Sequence, residues 1–140
     1  MTWLAIMVLW CNSFNISTPA ETQFIQKINA ARVLPVKQDP LLVILARQYS
    51  EMLASGGPNA KLVHSDLTRL FSITAASTVG ENLGVGHTVD SVHQAMLESP
   101  THAAVIVNPV YSRVGVGIVE LPDGSFFVTE IFANYGTVPE

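Results

Sequence analysis

The stretch VGVGIVELPDGSFFVTEIFA, residues 114–133, decides the class of fold. Val114–Leu121 and Ser125–Ala133 alternate and are rich in β-branched and aromatic residues, and Pro122-Asp123-Gly124 between them supplies turn chemistry. Together they predict an antiparallel hairpin near the C-terminal end. Successive strand residues face opposite ways, so Gly115 and Gly117 share one face. That face carries no side-chain bulk and has room for a polar group or ligand.

Upstream the apolar period changes from two to about 3.6 residues. Ser99-Pro100 opens a short helix that ends before Asn108-Pro109. Thr88 caps another running to about Leu97, with Val89, Val92, His93 and Met96 on one side. Asp39-Pro40 starts a helix over about 40–55, whose face is Leu42, Leu45, Ala46, Tyr49, Met52 and Leu53. Leu41 and Ile44 widen its apolar arc, so this helix is either covered on two sides or presents a patch to a partner. Thr18-Pro19-Ala20-Glu21 reads as a capping box for a first helix over about 19–32. Between Asn59 and Gly86 the pattern is irregular, with short pieces around 62–64 and 79–83. Helices first and a hairpin last predict an α+β fold in one domain.

Composition narrows the function classes. With 140 residues, 49% of them hydrophobic and 13% charged, the chain buries enough apolar surface to exclude intrinsic disorder. Seven Lys and Arg against eleven Asp and Glu leave no basic stripe for nucleic acid. The single Cys11 excludes an internal disulfide and a zinc site built on paired thiolates. Residues 1–20 carry no charged side chain, and Trp3–Trp10 is an unbroken apolar run. It is too short for a membrane-spanning helix and fits the apolar region of a secretory signal, or else a buried N-terminal element. The expected division is therefore a signal peptide or apolar segment over 1–17 and a folded domain over 18–140, secreted and monomeric.

No zinc-protease helix, nucleophile elbow or phosphate loop is present. The polar residues set in apolar surroundings are His64, Glu81 and His102. Glu81 lies among Val79, Leu83 and Val85, where a carboxylate is costly unless it is paired. His102 falls in the first turn of its helix, where the dipole favours a neutral ring able to accept a proton or bind a metal. Each has a plainer reading too. His64 and Glu81 can be one satisfied pair, Ser99 a helix cap, Asn82 a turn tie, His93 a packed core residue and His87 an exposed loop residue.

In order along the chain, Ile28-Asn29-Ala30-Ala31-Arg32, Asp39-Pro40-Leu41-Leu42, His64-Ser65, Val79-Gly80-Glu81-Asn82-Leu83, Ser99-Pro100-Thr101-His102 and Val114-Gly115-Val116-Gly117 resemble signatures of the CAP superfamily. These are the cysteine-rich secretory, antigen 5 and pathogenesis-related proteins, and the chain is most similar to their bacterial, disulfide-free branch. The resemblance implies a three-layer α-β-α sandwich with a small antiparallel sheet and a cleft. It implies that His64, His102 and Glu81 line that cleft, with either Glu98 or Ser99 at the position of a second glutamate. It also implies a divalent metal held by the two histidines; two nitrogens and solvent would make a weak zinc site. The leading functional expectation is a secreted, non-enzymatic binder of a small lipophilic or cell-envelope ligand. The alternatives are a metal-dependent hydrolase with Glu81 as general base and an extracellular protein-interaction module.

Overall fold

The computed structural model describes residues 17–136. In chain order the elements are α1 (Pro19–Ala30), β1 (Lys37–Gln38), α2 (Pro40–Ala54), α3 (Leu67–Thr74), β2 (Thr78–Gly86), α4 (Val89–Glu98), α5 (Pro100–Val107), β3 (Arg113–Glu120) and β4 (Phe126–Asn134). The expected hairpin, β3–β4, forms the middle of a four-stranded sheet ordered β1-β3-β4-β2. β2 adds to β4 antiparallel, but β1 joins β3 in parallel, so the sheet is mixed, not purely antiparallel. The sheet alternation sorts the helices into two outer layers. Val114, Val116, Val128 and Phe132 pack with Phe24 and Ile28 of α1, Val92 and Met96 of α4, and Ile106 of α5. Ile131 and Ala133 pack on the other face with Leu42 and Ala46 of α2 and Leu70 of α3. This is the expected α+β, three-layer α-β-α arrangement.

The helix starts follow the sequence signals closely. In the capping box, the Glu21 backbone N–H donates to Thr18 Oγ1 and the Thr18 N–H donates to Glu21 Oε2. Asp39 accepts from Leu41 and Leu42 at the start of α2, and Thr88 accepts from Ser91 at the start of α4. One helix was not expected. Asp66 accepts from the backbone N–H groups of Thr68 and Arg69 and so caps α3, within the stretch read as irregular. Its eight residues are too few for the periodicity of Leu67, Leu70, Phe71 and Thr74 to stand out. In the same stretch β2 is nine residues long, because Gly80, Gly84 and Gly86 interrupt its alternation in sequence but not its pairing.

The bare face of β3 is not open. A β-carbon on Gly115 would overlap the Leu42 carbonyl carbon and the Val43 nitrogen, and one on Gly117 would overlap Arg47 and Ala46 backbone atoms. The room left by the glycines is therefore filled by the backbone of α2, not by a ligand. Ser50 seals this contact, donating to Gly117 O at 2.8 Å and lying 2.8 Å from Thr129 Oγ1. Pressed onto the sheet, α2 buries Leu42, Val43 and Ala46 while Leu41 and Ile44 stay 38% and 45% exposed, so its wide apolar arc is covered on one side only.

Two buried charged side chains tie the layers together. Glu21, fully buried, accepts from Arg47 of α2 at 2.6 and 3.1 Å and from the Ile118 N–H of β3. Arg32 donates to the carbonyls of Leu34, Ile106, Asn108 and Tyr111, at 2.7 to 2.9 Å, and so clamps the turn after α1 to the end of α5. The apolar run Trp3–Trp10 lies outside the described residues, and no helix among the described residues is long and apolar enough to cross a membrane.

Gly115→Ala is expected to lower stability by about 2 kcal/mol or more, because backbone rather than a flexible side chain must move. Gly57→Ala, at φ +78 with nothing near its β-carbon, should cost only about 1 kcal/mol. Urea unfolding of the two variants would check the ordering.

Candidate functional site

Glu81 is the fixed point of the site. β2 points it toward the α2–α3 side, its side chain is 1% exposed, and three donors satisfy it. The Ser65 N–H reaches Oε1 at 2.8 Å, Ser65 Oγ reaches Oε2 at 2.5 Å, and His64 Nδ1 lies 2.9 Å from Oε1. A carboxylate only accepts, so the proton sits on His64 Nδ1, and a neutral ring then keeps Nε2 as its acceptor. The plainer reading of His64 and Glu81 as a satisfied pair thus holds for the carboxylate, whereas the imidazole remains 59% exposed. It stands at the edge of a cleft of about 320 Å³ between α2 and α3. Leu45, Met52, Leu70, Ile73 and Ile131 form its apolar walls, and Gln48, Tyr49 and Arg69 its polar rim.

His102 occupies a different place. Asn82 follows Glu81 on the strand and therefore faces the other layer, where its Nδ2 donates to His102 O at 3.1 Å and to Glu130 Oε2 at 2.9 Å. The His102 ring bonds Ser99 Oγ at 2.7 Å, so Ser99 occupies the N-cap position of α5 without its side chain capping the helix. Ser99 and His102 line a separate recess of about 120 Å³ with Leu83, Val85, Val92 and Met96, and the two recesses share no residue. Glu98 turns away to solvent and accepts from Gln94, so at the position of a second glutamate it is Ser99 that meets the histidine. His87 is exposed. His93 is buried edge-on against Phe24, and burial with Lys27 nearby pushes its pKa down.

These donors fall short of a full ligand set for a resident metal. Among the described residues no three His, Cys, Asp or Glu side chains are grouped to hold one. His64 and His102 line separate recesses, and the His102 ring is hydrogen-bonded to a hydroxyl. No chemistry is therefore routed through zinc.

Sequence reasoning overlooked three contributors. Arg69 and Ile73 went with the unrecognised α3, for which Asp66 just ahead of Leu67 was the available signal. Glu130 was missed although it is the one charged residue in a largely apolar strand. It is fully buried, Oε1 has no hydrogen-bond partner among the described residues, and burial pushes its pKa up to about 8 against the opposing bond from Asn82.

A carboxyl with a folded pKa near 8 and an ordinary unfolded value holds its proton in the native state alone between those limits. Its contribution is thus fully favourable below the unfolded pKa and declines as pH rises toward 8, by at most about 1.4 kcal/mol per unit. Glu130→Gln should remove most of that decline between pH 5 and 8, the window set by burial of this carboxyl. Denaturant titrations of both proteins across the range would test it.

Comparison with known proteins places this geometry. A family model described as "CAP: Cysteine-rich secretory protein family" matches residues 26–132. No curated protein sequence matches the chain. Among solved structures, an outer surface protein from Borrelia burgdorferi superposes with a TM-score of 0.75 at 18% identity, covering 86% of this chain and 97% of that one. Venom allergen-like protein 4 from Schistosoma mansoni gives 0.63 at 12% identity, over 86% and 92%. A cysteine-rich secretory protein from Staphylococcus aureus gives 0.67 at 14% identity, over 86% of this chain and 40% of its own. At such identities the structures speak for the fold, and the family match covers most of the sequence: the chain belongs to the CAP, or cysteine-rich secretory protein, family.

Proposed function

We propose that this CAP domain is a secreted, non-enzymatic protein that binds a small lipophilic or cell-envelope ligand in the cleft between α2 and α3. The observation that carries this reading is the cleft itself: about 320 Å³, walled by aliphatic side chains and edged by polar groups. That combination suits a ligand with an apolar body and a polar end, and the volume lies at the small end of ligand pockets. Met52 and Ile73 are 54% and 41% exposed on its walls, apolar surface that a ligand would take out of water. His64, with Nδ1 held by Glu81, offers Nε2 to a hydroxyl at the polar end, and Arg69 on the rim offers N–H donors to a carboxylate.

Titration with dansyl-labelled undecanoic acid should saturate at about one site per chain. Met52→Asp and Ile73→Asp should each weaken binding by about tenfold or more, a loss of about 1.4 kcal/mol, with far-ultraviolet circular dichroism unchanged. Non-saturable partitioning, or equal binding by the variants, would count against the cleft. Export has its own check. A signal cleaved ahead of Ser17 leaves the Thr18–Glu21 box whole, so sequencing of the exported protein should begin between Asn12 and Ser17. Intact Met1 in the cytoplasm would remove the secretion reading.

A further inference from the structure

At the end of the molecule where β3 begins, four aliphatic side chains point into water. Val33 is 99% exposed and Leu34 62%, in the turn after α1; Val107 and Val110 are 49% and 38% exposed, at and after the end of α5. One guanidinium makes them neighbours: Arg32 binds the carbonyl of Leu34 together with those of Ile106 and Asn108. The same clamp fixes the tip, since Tyr111 O is held as well. We propose that this tip, Val33, Leu34, Val107 and Val110, docks the protein onto a lipid bilayer that carries anionic headgroups.

Charge argues for that partner. From Asn29 to Val36 and from Ala103 to Ser112 the only Asp, Glu, Lys or Arg is Arg32, which is 9% exposed and spent on four carbonyls. The tip therefore enters hydrocarbon without carrying a charge into it. Three residues beyond Leu34 and Val110 stand Lys37 and Arg113, register partners on β1 and β3. Neither forms an ion pair among the described residues, so two cations sit together behind the apolar tip, at the depth of headgroups. Asp39, two residues beyond Lys37, caps α2 and offsets one of the two cations, and Asp90 is paired with Lys27.

Size argues against a protein partner. Four aliphatic side chains offer roughly a few hundred Å², short of the roughly 800 Å² per partner that a stable dimer buries.

The test uses the full chain with Cys11→Ser, which removes its one cysteine, and single cysteines at Leu34→Cys, Val107→Cys and Pro122→Cys. Residue 122 lies in the hairpin turn, at the opposite end of β3, and serves as the control. With a nitrobenzoxadiazole label and vesicles of phosphatidylcholine containing a minority of phosphatidylglycerol, positions 34 and 107 should show a blue shift and a several-fold rise in emission. Brominated acyl chains should quench them, position 122 should stay unchanged, and the response should weaken on pure phosphatidylcholine. Adding Val33→Asp, at a site with no packing to lose, should abolish the response at position 107. Labels at 34 and 107 that behave like the control would overturn the proposal. So would a shift that grows with protein concentration in the absence of vesicles, which would make the tip a contact between copies.

Discussion

Helix α2 lies so close to β3 that the strand can carry no β-carbon at two positions. Gly115 and Gly117 meet main-chain atoms of Leu42, Val43, Ala46 and Arg47 directly, and the other positions in this layer follow from that approach. With α2 pressed to the sheet, Ser50 reaches both Gly117 O and Thr129, and Arg47 reaches Glu21 across β3. The cleft also depends on it. Leu45, Tyr49 and Met52 form one wall because α2 is held low, while α3 stands beside it and contributes Leu70 and Ile73 as the other.

Charge inside this protein serves mainly as fastening. Glu21 is fully buried, yet it is met by a guanidinium and two backbone N–H groups, so it joins α1, α2 and β3. Arg32 exchanges water for four carbonyl oxygens. Both meet the rule that a buried ion must be fully hydrogen-bonded. Glu130 does not, and it responds by holding its proton.

What could be read from the sequence follows from the range of the forces involved. Caps act over three residues, so Thr18, Asp39 and Thr88 announced their helices, and the hairpin was legible because its turn and its alternation are local. The bare face of β3 was legible as well, but what fills it was not, since the partner lies some seventy positions away. His64 and Glu81 were recognisable as a pair because an apolar setting demands one. The placement of His102 was not, because it depends on which way Asn82 points and on a hydroxyl, Ser99, taking up the ring nitrogen.

Glu81 and Asn82 are consecutive, yet one serves the α2–α3 layer and the other holds the carbonyl of His102 in α5. Inserting one residue in β2 ahead of this pair would put the carboxylate where Asn82 meets Glu130, and deleting one would put the amide where Glu81 meets His64. The loops at 55–66 and 87–88 are under no such rule. Descendants of this sequence are therefore free to vary in loop length, but any change of length in β2 that keeps the sheet must come in steps of two.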